Sequence, residues 1–359
     1  MKIIIVLSII VVFIAYFARF RQSKYALELS FFIIYLFTAF RYNYGTDYSQ
    51  YQEIFESVAS SSNIFSVNAE FNEMEKAWLI ICYLFKPIGF FGMMFVLSAI
   101  ICYTYYAMIK KYVDVNYYWL AVLLYVFTID IMLIQFSALR QALAIALFLY
   151  SIRYLVEIRS PIKYLILNFI AGSFHSSAYF MLIFVLLAFV KDWNSNKAGY
   201  IISVFFFVLL FAGKYLMNLL PMITAFFVGE RYLYIFDSEF DSTSTLIGGA
   251  FWSLLFMIVI FYSRSQSADF KYFFLLYSLF FVSYSLTNLF WIGDRMGYYF
   301  APFSMIVIPR LLDSVNFKLL KSLILILYLS LVFSKLISFH SYSYFEIGYE
   351  NYQTIFSLL

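Results

Sequence analysis

The sequence predicts an all-α, polytopic integral membrane protein: a single transmembrane domain over 1–359 with about twelve membrane segments. Three observations predict it. Of 359 residues, 64% are hydrophobic and 12% charged, whereas a soluble domain carries about one quarter charged residues. Mean hydropathy is +0.86, and apolar runs of about twenty residues, long enough to cross the hydrocarbon core, recur along the chain. Lysines and arginines gather between alternate runs, the pattern that sets orientation in a bilayer.

The rest of the composition narrows the function. Aromatics reach 24%, with 34 Tyr and 46 Phe, which suits interfacial belts, internal packing, or a groove that stacks on sugar rings. Cys82 and Cys102 form no metal spacing and no disulfide framework, and His175 and His340 are the two histidines of the chain. No Gly-rich phosphate loop, nucleophile elbow or metal-ligand run occurs. Neither a cofactor nor a metal is expected, and nucleic acid is not an expected partner.

Taken in order, Met1 to Phe20 reads as an uncleaved first span with its N-terminus outside, because Arg19, Arg21 and Lys24 follow it while Lys2 alone precedes it. A second span covers about 25–42. The stretch 42–87 is an acidic outer loop, with Asp47, Glu53, Glu56, Glu70, Glu73 and Glu75. Within it, Trp78 to Phe85 is apolar but too short to span, so a re-entrant or interfacial helix is expected there. Further spans are expected at about 88–109, 117–134 and 138–155.

Lys163 and Lys191 enclose 27 residues, with Gly172, Ser173, His175, Ser176 and Ser177 in the middle. They form one long span or a hairpin of two short helices. With a hairpin, 15 of the 24 lysines and arginines fall inside and the large acidic loops stay outside, so the hairpin is the expected form. It reverses near Gly172–Ser177 and sets His175 at the turn, where irregular backbone is tolerated if it lines a cavity. The remaining spans are expected at about 199–219, 246–262, 271–291, 296–312 and 319–338, with a second outer loop at about 220–245 and an outer C-terminal segment.

Arg140, Gln141 and His175 stand inside a stretch, 135–180, that is apolar enough to sit in a membrane. An arginine at bilayer depth costs roughly 2.5–3.5 kcal/mol on translocon scales, so it marks a cavity, a partner or an anionic ligand. On its helix, Ala138, Ala142 and Ala146 offer a small-residue packing face, whereas Arg140, Ala144, Phe148 and Ser151 share another. Arg41, Arg140, Arg231 and Arg295 all fall at expected outer ends or loops, and the planar guanidinium suits bidentate phosphate binding. Ordinary loop charges and local ion pairs are the alternative. Asp47 reads as a base, a sugar-hydroxyl acceptor, or the N-cap of a following helix. Arg295, Tyr298 and Tyr299 share a helix face and suit a phospho-sugar or an interfacial anchor.

These stretches, read together, resemble the EpsG family of Wzy-like exopolysaccharide and O-antigen polymerases. The resemblance rests on Arg41 with YGTDYSQY (44–51), Glu73-Met74-Glu75-Lys76, RQALA (140–144), AGSFHSSA (171–178), DRMGYYF (294–300) and YENYQTIF (349–356). The family's pattern has a proline just before Tyr352, where this chain has Asn351. The resemblance implies a membrane glycosyltransferase that joins undecaprenyl-diphosphate-linked oligosaccharide repeat units into a surface polysaccharide. The reaction would run at the outer face of the bacterial cytoplasmic membrane, with other polysaccharide-assembly proteins as further partners. It implies substrate binding by Arg41, Arg140, Gln141, Arg231, Arg295 and Tyr299, the arginines supplying cations for the leaving diphosphate, and a proton acceptor among His175, Asp47 and Glu75. The alternatives are a flippase or other transporter of lipid-linked oligosaccharides, an O-antigen ligase-like transferase, and an O-acyltransferase.

Overall fold

A computed structural model describes residues 2–20, 23–61, 74–189, 268–287, 292–341 and 348–358. The chain divides into two compact units, Met1–Lys191 with Lys335–Leu359, and Asp192–Ser334. The spans expected at 199–219 and 246–262 and the loop at 220–245 lie outside the described residues.

The first unit opens with α1 (Lys2–Tyr16) and α2 (Ala26–Ala39), which pack together. Ser30 bonds them at membrane depth: its hydroxyl reaches the Val11 carbonyl at 2.9 Å, satisfying a polar group that hydrocarbon cannot. After α2 come the short helices α3 (Tyr48–Ser60) and α4 (Lys76–Leu84). In α3 the buried residues Tyr48, Tyr51, Phe55 and Val58 repeat at spacings of three and four, so one face is buried against α4 and α5 (Gly89–Tyr112). Nine residues give α4 a length of roughly 14 Å, too short to cross a bilayer, as the sequence leads one to expect.

The stretch expected as one span at 117–134 is broken. α6 (Tyr118–Phe127) ends at Thr128 in extended backbone, a π-helical turn covers Ile129–Leu133, and α7 (Ile134–Ser137) follows; the two parts meet at 63°. Ala138 breaks the chain again before α8 (Leu139–Ser151) and the single turn α9 (Arg153–Val156). α8 packs against α5 and α10 (Pro161–Phe174). Ala142, Ala144, Ala146, Phe148 and Ser151 are all buried, so α8 is covered on both of the faces that the sequence distinguishes.

The hairpin is present. α10 ends at His175, whose backbone is extended, and a 3-10 run, Ser176–Phe189, packs back along α10. The pairing is antiparallel about His175: Tyr164 donates its hydroxyl to the Met181 carbonyl at 2.5 Å, and Phe169 meets Tyr179 edge to face at 5.8 Å. Gly172 lies flush against the Tyr179 ring, where a Cβ would collide. The second arm is a 3-10 run rather than the α-helix that composition suggests.

Ion pairs gather the charges expected inside at one end of the unit. Lys110 pairs with Glu28, and Lys111 pairs with Glu157, to which Tyr112 also donates. At the opposite helix ends lie Arg41, the loop 43–47 and Arg140. The segment 348–358 joins them: β1 (Arg41–Tyr42) pairs antiparallel with β2 (Gln353–Thr354), Arg41 opposite Thr354. This small β-ribbon is the one departure from an all-α architecture among the described residues.

The second unit contains α11 (Ala268–Thr287), α12 (Ile292–Phe300) and α13 (Ser304–Ser314), with a 3-10 turn at Ala301–Phe303. The span expected at 296–312 is therefore two helices, separated where Pro302 enters the 3-10 turn. α14 (Lys318–Ser341) continues from this unit into the first. Among the described residues, four helices are long and apolar enough to cross a membrane, Lys2–Arg19, Gly89–Tyr112, Leu139–Val156 and Lys318–His340, or five if the bent pair is one span. Twelve segments are not shown.

Gly45 fixes the loop after β1. Its φ is +112°, and a Cβ would strike the Phe136 carbonyl oxygen, so both conformation and space require glycine. Gly89 also has positive φ, +78°, but open space around it. Gly89→Ala is expected to cost about 1 kcal/mol from conformation alone, and Gly45→Ala clearly more. Thermal unfolding of the two variants in detergent measures this; equal losses would mean that the approach to Phe136 does not hold the loop.

Candidate functional site

Three segments meet at the start of α8. The guanidinium of Arg140 is ion-paired with one carboxylate oxygen of Glu75, the residue just before α4. The other Glu75 oxygen accepts the backbone N–H of Ser176 at 3.4 Å. One carboxylate thus ties Arg140 to the hairpin turn that carries His175. Arg140 and Glu75 keep 24% and 21% of their side chains exposed, so the pair is reachable. The Nε of Arg140 is buried without a partner.

Tyr51 extends the cluster to α3. It is buried, touches Trp78 edge to face at 5.3 Å, and lies in the fields of both Arg140 and Asp47. Burial raises the pKa of its hydroxyl, against the opposing pull of Arg140, so it stays a neutral donor. The indole Nε1 of Trp78 is also buried without a partner. Asp47 stands at the N-cap position of α3 but makes no capping hydrogen bond; its carboxylate accepts the Thr46 hydroxyl at 2.9 Å. His175 is 9% exposed, and its Nδ1 lies 2.7 Å from the Ser177 hydroxyl. Glu75, Arg140 and the His175 turn are therefore joined by direct contacts, as the sequence cannot show, whereas Asp47 is bonded to Thr46.

Arg41 occupies a different place. It is 2% exposed, donates to the Gln135 carbonyl at 3.3 Å, and lies over the Phe136 ring at 4.9 Å. Its Nε lacks a partner, and no carboxylate pairs with it among the described residues. A buried cation without a counter-charge is costly, which is consistent with an anion bound nearby. Gln141 is buried next to Arg140 on α8. Arg295, exposed, and Tyr299, buried, are on α12 in the other unit. Arg231 lies outside the described residues. No group of three or more His, Cys, Asp or Glu able to hold a metal occurs among the described residues.

The sequence reading missed a second ion pair. Asp130, buried in the π-helical turn, receives Lys335 of α14 on both carboxylate oxygens, at 2.7 and 2.9 Å. The signal was available. Asp130 is an acidic residue in an apolar run and Lys335 a basic one, and the rule that singles out Arg140 applies equally to both. Tyr51, Ser137 and Tyr349 gave no such signal, because their chemistry comes from the contacts that the fold makes.

The sequence model of the EpsG family matches residues 24–354. No curated protein and no solved structure matches the chain.

The Asp130–Lys335 pair makes a separable prediction. Lys335→Met leaves a buried carboxylate without its cation, which costs about 3–5 kcal/mol in comparable cases. Removing both charges, as Asp130→Leu with Lys335→Met, should restore most of that loss. Melting in detergent compares the variants; a double variant less stable than Lys335→Met would contradict this account of the pair.

Proposed function

The chain belongs to the EpsG family of polysaccharide-biosynthesis membrane proteins, and from that premise we propose that it is a polysaccharide polymerase. In this reading it joins undecaprenyl-diphosphate-linked oligosaccharide repeat units at the outer face of the bacterial cytoplasmic membrane. The hydroxyl at the non-reducing end of one unit attacks the anomeric carbon of the growing chain. The bond from that carbon to the diphosphate oxygen breaks, the proton of the hydroxyl passes to a base, and undecaprenyl diphosphate leaves.

The observation that carries the proposal is the partly exposed Arg140–Glu75 pair, bonded through the Ser176 N–H to the turn that carries His175. Arg140 supplies a fixed cation for the charge that develops on the leaving diphosphate, which needs no metal. Glu75 holds the guanidinium in place, and this commitment to Arg140 makes it the weakest of the three candidate bases. Asp47, free of a capping bond, and His175, at the turn, are the stronger two. Gln141, next to Arg140, and Arg41, at its own buried place, are further candidate contacts to the substrate. Arg231, and Arg295 with Tyr299, are separate candidates, each resting on its own variant.

One observation favours a second reading, a transporter of lipid-linked oligosaccharides. A helix broken by 63° with an ionised residue in the break is a feature of transporters. Deleting the gene in its host separates the readings. A polymerase loses chain length while single repeat units still reach the surface; a transporter loses both. A ligase keeps polymer and loses its attachment.

Arg140→Ala and Arg295→Ala are expected to abolish polymer at unchanged protein abundance, and Arg140→Lys to rescue poorly, since the bidentate fork is lost. Polymer length on gels and protein level on blots measure this. Full activity in both alanine variants would remove the arginines from the mechanism. His175→Ala and Asp47→Asn should each slow polymerisation, and at least one should change the pH–rate profile of a reconstituted reaction. If both keep the wild-type rate and profile, neither is the base.

A further inference from the structure

We propose that Tyr349, in the segment after α14, is a positioning residue for Asp47 and acts through Ser137 and Thr46. The inference rests on the reading of Asp47 as part of the reacting site. A series of hydrogen bonds connects the residues. The Tyr349 hydroxyl donates to the Leu133 carbonyl at 3.0 Å. Its oxygen then accepts the Ser137 hydroxyl at 2.5 Å, and the Ser137 oxygen accepts the Thr46 backbone N–H at 3.1 Å. Thr46 in turn gives its hydroxyl to Asp47 Oδ1 at 2.9 Å. Thr46 donates on both sides, from its backbone to Ser137 and from its hydroxyl to Asp47, so the loss of one hydroxyl loosens the loop that carries Asp47.

Independent contacts hold the segment at this place. The Gly45 N–H bonds the Gly348 carbonyl at 2.9 Å, and the Gly348 backbone approaches Thr46 so closely that a Cβ there would lie 2.9 Å from the threonine methyl. Tyr352 stacks on Phe37 at 4.1 Å with the rings 9° apart, and its hydroxyl donates to the Phe37 carbonyl at 2.8 Å. The Tyr349 ring is 2% exposed, and contacts Tyr44 at 5.3 Å and Phe339 at 5.6 Å. Those ring contacts survive the loss of the hydroxyl. Burial pushes the Tyr349 pKa up to about 12, against the Ser137 hydrogen bond, so the hydroxyl keeps its proton at working pH. Tyr349 touches no reacting group; its work is to fix the loop that presents Asp47.

The experiment uses the full chain in proteoliposomes with lipid-diphosphate-linked repeat units extracted from its host. Tyr349→Phe should lower kcat about tenfold, one lost hydrogen bond's worth, with KM and protein abundance unchanged. Ser137→Ala should do the same without touching the packing of the 348–358 segment, which keeps the proposal testable if Tyr349→Phe is poorly recovered. Thr46→Val combined with Tyr349→Phe should be no slower than the slower single variant, because both break the same chain. Multiplying effects, or wild-type rates in Tyr349→Phe and Ser137→Ala, would overturn the proposal. Asp47→Asn is measured alongside: if it is inactive while Tyr349→Phe is normal, only the relay falls. If Asp47→Asn keeps the full rate, the reading of Asp47 falls, and the role of Tyr349 with it.

Discussion

Glu75 turns one carboxylate oxygen to the guanidinium of Arg140 and the other to the backbone N–H of Ser176. A single side chain thereby joins the start of α4, the start of α8 and the turn of the α10 hairpin. Each of these is a place where regular helix stops and backbone polar groups need partners. The pair is only partly covered, so water weakens it, and its worth in stability is modest. Its importance is geometric. A cation whose position is fixed before substrate arrives can stabilise a leaving anion without reorganising, and Glu75 fixes Arg140. A second anion reaching Arg140 must share it with Glu75 or displace that carboxylate.

Around this pair, the broken segment 128–138 serves as a platform. Its regular hydrogen bonding fails at Thr128 and again at Ala138, and the groups around these breaks are what the neighbouring segments use. The Gln135 carbonyl takes Arg41, the Leu133 carbonyl takes Tyr349, and the Ser137 hydroxyl takes Thr46. Gly45 sits against the Phe136 carbonyl. Asp130, at the head of the platform, is anchored by Lys335 of α14. A straight helix here would hide these acceptors in its own ladder, so the irregularity supplies the seats for the β1 loop and for the 348–358 segment.

Much of this was legible in the sequence where the signal is local. Composition pointed to the helical membrane class, the length of Trp78 to Phe85 to a short helix, and the distribution of lysines and arginines to the hairpin. The bend at Thr128 was not legible, because 117–134 contains no glycine or proline to announce a break, and Asp130 marks a buried charge rather than a bend. The division of 296–312 was available from Pro302. Arg140, His175 and Glu75 could each be chosen by residue type, yet the joining of Arg140 and the His175 turn by Glu75 depends on contacts between residues up to 101 positions apart. Arg41 shows the limit of reading by type: it shares Arg140's chemistry and lies near an expected outer end, but it is buried on Gln135 and Phe136. The pairing of 353–354 with 41–42 leaves no pattern in a two-residue strand.

The central claim is that this chain extends lipid-linked oligosaccharides rather than moving or attaching them. Reconstitution of the purified protein into liposomes tests it most directly, with lipid-diphosphate-linked repeat units as the sole substrate and no other protein or acceptor. The account predicts a ladder of longer lipid-linked chains, with one undecaprenyl diphosphate released for each unit added. Repeat units that cross the bilayer at unchanged length, with no diphosphate lipid released, would contradict it and establish transport instead.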